Sequence, residues 1–131
     1  MSVWEQARAV AVLHRAGMIN LLRPDQVIAS IRAVREYGPI AGPARVAARR
    51  DADTVAVIDE LGELTYRQLD RRANALARAW ARQGFGTDSV IAILCRDHRW
   101  VIDTMLASAK LGARLLLMNT GFGATQLADV A

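Results

Sequence analysis

The stretch VIAILCRDHRWVIDTMLASAKLGARLLLM, residues 90–118, contains the pattern that decides the fold. Its first residues, Val90–Cys95, form an apolar run typical of a strand. Asp97 is suited to cap a following helix, and Gly112 supplies the stop signal of that helix. Arg114–Met118 then predicts a second strand. Two strands separated by one helix indicate a βαβ unit, in which the strands are parallel and the crossover is right-handed.

Both predicted strands are almost entirely apolar, which indicates burial on both faces. Downstream, Asn119–Gly123 predicts a turn and Ala124–Ala131 the first turns of another helix. Such a helix should lead to a further strand that covers the apolar edge of Arg114–Met118, because stable proteins cover or charge an exposed edge. The sequence therefore predicts an incomplete sheet.

Upstream of the βαβ unit, Thr54–Ile58 and Glu63–Thr65 predict a β-hairpin. Thr65 precedes a helix with Gln68 three residues later, which is the spacing of a capping box. The predicted buried stripe of this helix contains Tyr66, Leu69, Ala73, Leu76 and Trp80, and its predicted exposed side contains Arg67, Arg71, Arg78 and Arg82. Gly84 ends the helix, and Gly86 belongs to the same stop.

Residues 1–50 have helical periodicity and no convincing strand. A first helix places Trp4, Ala7, Ala11 and His14 at helical spacing and stops at Gly17, and a second carries the stripe Val27, Ile28, Ile31 and Val34. Gly38 and Pro39 close the second helix, and a third short helix is predicted at Pro43–Arg50. The predicted architecture is α/β, with a helical basic arm (1–50) before an incomplete, mostly parallel βαβ sheet with a leading hairpin (51–131).

Composition narrows the class of protein. Of the 131 residues 53% are hydrophobic and 23% charged, which excludes a disordered charged tail. Residues 1–50 carry eight Arg against Glu5, Asp25 and Glu36, a net charge of +5. The single cysteine, Cys95, excludes an internal disulfide and is interpreted as a small apolar residue at a strand end rather than a catalytic thiol. Charged residues interrupt the N-terminus, so no signal peptide or membrane span is predicted, and the expected location is the cytoplasm.

The order of these elements carries a family resemblance. The matching segments are GELTYRQLD, RRANALARAWARQGFGTDSVIAIL, CRDHRWVIDTMLASAKLGA and LLLMNTGFGATQLADV, between residues 62 and 130. They resemble the beginning of an AMP-forming acyl-CoA synthetase of the adenylate-forming ligase superfamily. The last two segments are particularly similar to actinobacterial fatty-acid-CoA ligases. Two positions depart from the family pattern: Asp97 replaces a usual Asn, and Trp100 replaces a common Gly.

The resemblance implies ATP-dependent activation of a fatty acid as an acyl-adenylate, followed by transfer to the thiol of CoA. It also implies a phosphate-binding loop, an acidic group for Mg²⁺, an Asp for the ribose and a catalytic Lys, all of them downstream of the matched segment. No catalytic, cofactor-binding or metal-binding residue is therefore assigned in this chain. The expectation is an N-terminal fragment of a fatty-acid-CoA ligase that is inactive alone.

Three local patterns resemble functional sites. Residues 121–126, GFGATQ, resemble the start of a dinucleotide-binding fingerprint but have Gln126 in place of the third glycine, so a plain turn is favoured. His14 and His98 lack partners at metal-ligand spacing, which argues against zinc. Asp97 with His98 could do acid/base chemistry, although a helix cap with its neighbour is the simpler interpretation.

The basic arm allows two interpretations. Arg8, Arg15, Arg23, Arg32 and Arg35, beside Trp4, Leu21, Leu22 and Ile31, suit either an anionic membrane surface or an amphipathic arm packed on its own domain, and packing is favoured. Nucleic-acid binding is not expected because acids are interleaved with the arginines. The alternative function is a non-catalytic interaction module. Its open sheet edge would pair with a separate C-terminal remainder or with a second copy.

Overall fold

The computed structural model describes residues 2–16, 23–121, 123 and 128. Outside these residues lie Gly17, which is the predicted end of the first helix, and Leu21 and Leu22 of the basic arm. The predicted helix at 124–131 also lies outside them, except for residue 128. The chain divides into two compact units, residues 1–32 and 33–131. The elements are α1 (Val3–Arg15), α2 (Pro24–Arg50), β1 (Val55–Asp59), β2 (Gly62–Thr65), α3 (Tyr66–Arg82), β3 (Val90–Leu94), α4 (Arg99–Leu111) and β4 (Arg114–Met118). The domain boundary predicted at residue 50 coincides with the end of α2 and stays a prediction.

The first unit contains α1 and the start of α2. A capping box starts α1: the amide of Glu5 donates to Ser2 Oγ at 3.3 Å, and the amide of Ser2 donates to Glu5 Oε2 at 2.7 Å. From Trp4 to Arg15 every α1 residue is exposed except His14, which is half-buried. No helix among the described residues combines the length and apolar character that crossing a bilayer demands.

In the second unit α2 is kinked at Gly38, whose φ of +74° lies in the left-handed region. This confirms the predicted interruption, but the helix resumes at once, with Pro39 in a first-turn position, rather than at the predicted Pro43. The two segments then approach closely. A Cβ on Gly42 would lie 2.7 Å from the Cα of Val34, so the packing requires glycine there.

The hairpin and the βαβ unit are both present as predicted. β1 and β2 pair antiparallel, whereas β3 and β4 pair parallel in the register Val90↔Arg114 to Leu94↔Met118. α3 and α4 pack against each other, and the buried residues Ala41, Leu69, Ala73 and Leu106 form the core between the helices. The predicted capping box of α3 is confirmed, as is the exposure of its four predicted surface arginines.

Burial on both faces of the parallel strands was predicted, and this is wrong for the described chain. Along β3, exposed and half-buried residues alternate. Val90 and Leu94 are about half exposed, and so is Leu117 on β4. Two strands have too few neighbours to bury both faces, so an apolar surface remains on the β3–β4 sheet. The fold is thus a mixed α/β structure with small sheets.

Candidate functional site

The candidate site is a cleft where the chain leaves β3 and enters α4. In parallel sheets this carboxyl end of the strands is the usual place for a ligand. The cleft has a volume of about 760 Å³ and is lined by Glu60, Leu61, Cys95, Arg96, Asp97, His98 and Trp100. Glu60 and Leu61 come from the β1–β2 turn, so the hairpin forms one side of the cleft and the β3–α4 loop the other.

A buried ion pair ties these two sides together. The Arg99 side chain donates from Nε to Asp59 Oδ1 at 2.9 Å and to Oδ2 at 2.7 Å, and its terminal nitrogen also donates to Asp59 Oδ1. The same nitrogen donates to the carbonyl of Gly62 at 2.7 Å. Only 8% of each charged side chain is exposed. The pair therefore fixes the hairpin to the first residue of α4.

The electrostatics follow from this geometry. Hydrogen bonds from the Arg99 side chain hold the pKa of Asp59 well below its usual range, with support from the amides of Arg99 and Leu61 and against the opposing effect of desolvation. The same hydrogen bond raises the pKa of Arg99. Asp59 is thus an ionised structural partner at neutral pH, and it is not suited to take up or release a proton there.

His98 lies beside this pair and caps α4. Its Nδ1 accepts from the amide of Trp100 at 3.4 Å, and its ring centroid is 4.6 Å from the Trp100 ring. The predicted cap, Asp97, is wrong by one residue: α4 begins at Arg99, and the residue in the capping conformation is His98. Asp97 is exposed at the cleft. Instead of forming the disfavoured acid/base pair with Asp97, His98 contacts residues of the hairpin.

His98 Nε2 lies 3.2 Å from Glu60 Oε1 and 3.7 Å from Asp59 Oδ2. One ligand atom from each of these three residues falls within 4.8 Å of the others, a grouping that could hold a metal ion. The spacing argument against zinc missed it, because residues 59 and 98 meet only in the folded chain. However, both Asp59 oxygens already accept from Arg99, whose positive charge would oppose a cation. The chemistry of the set fits a metal poorly.

The single lysine of the chain is also committed to structure. Lys110 Nζ donates to Asp70 Oδ1 at 2.5 Å and to Asn74 Oδ1 at 2.7 Å, with 5% of its side chain exposed. Arg45 lies 3.9 Å from the same aspartate. This network joins α4 to α3 and leaves Lys110 no access to a reacting carboxylate. The sequence alone could not predict this network, because the partners of Lys110 are 36 and 40 positions away.

Of the other sequence candidates, Cys95 lies at the cleft. Cys95 is half-buried and lines the cleft, consistent with a strand-end position. Most of the GFGATQ segment, residues 122 and 124–126, lies outside the described residues, so phosphate binding there stays untested. Before it, the amide of Gly121 donates to Asn119 Oδ1 at 2.8 Å, which is an Asx-type turn. Gly84 follows α3 with a φ of +90°, which confirms it as a helix stop.

Comparisons with known proteins agree with this scaffold. The profile of the family described as "AMP-binding enzyme" matches residues 44–131. The malpinin synthetase of Mortierella alpina is 35% identical over 83 residues, which is 63% of this chain and 1% of that protein. The phosphinothricin tripeptide synthetase PhsB of Streptomyces viridochromogenes is 39% identical over 75 residues, 56% of this chain and 6% of PhsB.

Among solved structures, the N-terminal subdomain of Klebsiella oxytoca NpsA in complex with anthranilyl-AMSN superposes with a TM-score of 0.63 at 25% identity. That alignment covers 66% of this chain and 23% of the NpsA chain. The chain thus spans only a small part of the length of its relatives. The family profile covers well over half of the chain, and 66% of the chain aligns with a solved N-terminal subdomain. The chain therefore belongs to the AMP-binding enzyme family of adenylate-forming proteins.

Proposed function

We propose that this chain is the N-terminal scaffold of a fatty-acid-CoA ligase. The parent reaction would join a fatty acid and ATP to give an acyl-adenylate and pyrophosphate, and then transfer the acyl group to CoA. The observation that carries the adenylation chemistry of the proposal is the family match over residues 44–131. Within it, CRDHRWVIDTMLASAKLGA and LLLMNTGFGATQLADV provide the likeness to fatty-acid-CoA ligases.

The competing acyl class is an amino acid or an aryl acid. Several similar proteins are named peptide synthetases, and the NpsA subdomain was solved with anthranilyl-AMSN. Adenylation of any of these acids uses the same ATP chemistry, so family membership does not distinguish them. Fatty acids are preferred here on the two quoted segments alone, and the acyl class is what the experiment has to resolve.

The role of this chain in that reaction would be structural. Asp59 and Arg99 are committed to each other, Lys110 is held by Asp70 and Asn74, and His98 caps a helix. ATP, Mg²⁺ and CoA would be held by groups that these residues do not supply. We therefore expect the purified chain to form no acyl-adenylate.

The test is ATP–pyrophosphate exchange, assayed with fatty acids of several lengths, with aryl acids and with amino acids. It compares the 131-residue chain with the longest natural polypeptide that contains this sequence. The expected result is no exchange by the short chain and exchange with fatty acids alone by the longer one. Exchange by the short chain would refute the scaffold role, and exchange with amino acids would refute the acyl class.

A second candidate function is a non-catalytic interaction module. The observation that favours it is the apolar surface of the β3–β4 sheet, where Val90, Leu94 and Leu117 are each about half exposed. Such a surface could pair with a separately encoded remainder or with a second copy. Gel filtration of the chain alone, and then with a candidate C-terminal polypeptide, distinguishes these functions: a defined complex favours the module, and aggregation of the chain alone favours the scaffold.

A further inference from the structure

We propose that α1 and the start of α2 form a surface for an anionic lipid bilayer. The first observation is the exposure of the α1 apolar side chains. Trp4 is 85% exposed and Val12 is 59% exposed. A helix of 13 residues whose described side chains are almost all exposed is marginal in water, so α1 gains stability wherever its apolar side chains are covered.

The second observation is how charge is placed on α1. Trp4, Arg8, Ala11 and Arg15 follow one another at intervals of four, three and four residues, so they lie along one side of the helix. A tryptophan with arginines along the same side is the composition of interfacial helices. The indole enters the headgroup region, and the arginine stems lie along the apolar surface while their guanidinium groups reach the lipid phosphates.

The start of α2 offers the same combination. Ile28 is 52% exposed and Ile31 is 54% exposed, next in sequence to the exposed Arg32. Among the described residues, Arg8, Arg15 and Arg32 have no carboxylate within ion-pair distance. By contrast, each of the two carboxylates of this unit has a partner. Glu5 accepts a hydrogen bond from the amide of Ser2, and Asp25 lies 3.6 Å from Arg23. The available charge of this surface is therefore positive, which is complementary to acidic headgroups.

The experiment measures binding of the full 131-residue chain to vesicles by sedimentation and by tryptophan fluorescence. One set of vesicles is pure phosphatidylcholine, and the other contains about a third phosphatidylglycerol. We expect binding about tenfold tighter to the anionic vesicles, a blue shift of the fluorescence, and loss of binding in high salt, because exposed charges are screened.

Two matched double variants locate the surface. Arg8→Gln with Arg15→Gln should weaken binding to the anionic vesicles about tenfold, because both guanidinium groups lose their attraction to the lipid phosphates. Arg71→Gln with Arg78→Gln removes the same charge from exposed positions on α3 and should change binding less than about twofold. Trp4→Phe should retain binding but lose most of the blue shift, because Trp4 is the tryptophan on this surface.

The proposal is overturned by equal weakening in the two double variants, which would indicate a general effect of net charge. Equal binding to neutral and anionic vesicles would also overturn it. So would concentration-dependent dimerisation that Trp4→Ala abolishes, because a second copy would then be the occupant. The circular dichroism spectrum of each variant verifies that the second unit remains folded. None of these outcomes depends on which acid the parent enzyme activates.

Discussion

Two helices of this chain begin with the same local signal and differ in nearly everything that follows. α1 starts with a Ser2–Glu5 capping box and α3 with a Thr65–Gln68 capping box. α3 then buries Leu69, Ala73 and Ala77, whereas every described α1 side chain is exposed or half-buried. The comparison separates the two contributions to helix stability. A cap specifies where a helix begins, but burial of an apolar face supplies most of the free energy that maintains it.

The two units also differ in the position of their ion pairs. In the second unit the buried Arg99–Asp59 pair and the Lys110–Asp70 contact link elements that are far apart in sequence. In the first unit, the ion pair of Arg23 with Asp25 joins near neighbours and is largely exposed. The buried ion pairs of the second unit therefore connect its elements, whereas the Arg23–Asp25 pair is local to the start of α2.

The largest effect is expected from a core truncation in the second unit. Leu106 is 4% exposed and packs in the core with Leu69 and Ala73. Leu106→Ala should lower the free energy of unfolding by about 3 kcal/mol, measured by urea denaturation, through lost burial and a residual cavity. Val12→Ala in α1 is the matched control and should change it by less than about 0.5 kcal/mol. Equal losses would mean that α1 is part of the same cooperative core.

The second largest effect should come from the buried ion pair, and it should depend on pH. Asp59→Asn removes the charged partner of Arg99 and lowers stability at neutral pH. Because the pKa of Asp59 is depressed in the folded state, its contribution is present above the unfolded value of about 4 and is lost as the pH falls toward the lower folded value. The gap in urea midpoint between wild type and variant should thus be constant above about pH 4 and narrow below it.

The control for this prediction is Asp53→Asn. Asp53 pairs with Arg67 at 3.1 Å, but 83% of the Asp53 side chain is exposed. Exposed ion pairs contribute little, so this variant should stay close to wild type across the same pH series. A gap for Asp59→Asn that widens on acidification would show that the Arg99 pair is not the source of the stability.

The third effect concerns the close approach within α2. Gly42→Ala places a Cβ 2.7 Å from the Cα of Val34 and 2.8 Å from the carbonyl oxygen of Ala33. Backbone cannot move aside as a flexible side chain can, so we expect a loss of about 2 kcal/mol in urea denaturation. Gly86→Ala is the control, because a Cβ there meets no atom within 4 Å. The same loss at both glycines would show that the close approach to Val34 is not its cause, because restriction of the unfolded chain by alanine favours folding.

The sequence was sufficient for features encoded locally or by periodicity. The hairpin, the parallel βαβ unit, the α3 capping box and the stop at Gly112 all follow from turn chemistry and apolar spacing. The predicted N-cap of α4 was one residue too early. Asp97 and His98 can both accept an amide hydrogen bond, and only the folded loop selects between them.

The candidate site could not be predicted, because its partners are remote in sequence. Asp59 and Arg99 are 40 positions apart, and no spacing rule links a hairpin turn to a helix start in another layer. The Asp59–Glu60–His98 grouping could not be predicted for the same reason, because residues 59 and 60 meet residue 98 only in the folded chain. By contrast, the α1 capping box was present in the sequence as Ser followed three residues later by Glu, and it could have been found by the same rule that identified the one in α3.

The smallest effect compares α1 and α3 directly, because their two capping boxes can be removed one at a time. Thr65→Ala should lower the free energy of unfolding by about 1 kcal/mol, since α3 is part of the cooperative core. Ser2→Ala removes the equivalent hydrogen bond from α1 and should reduce the helical circular dichroism signal without moving the urea midpoint, because α1 buries no described side chain of its own. If Ser2→Ala instead lowers the midpoint as much as Thr65→Ala does, then α1 unfolds together with the core, and the contrast between a helix that is only capped and one that is also packed does not hold.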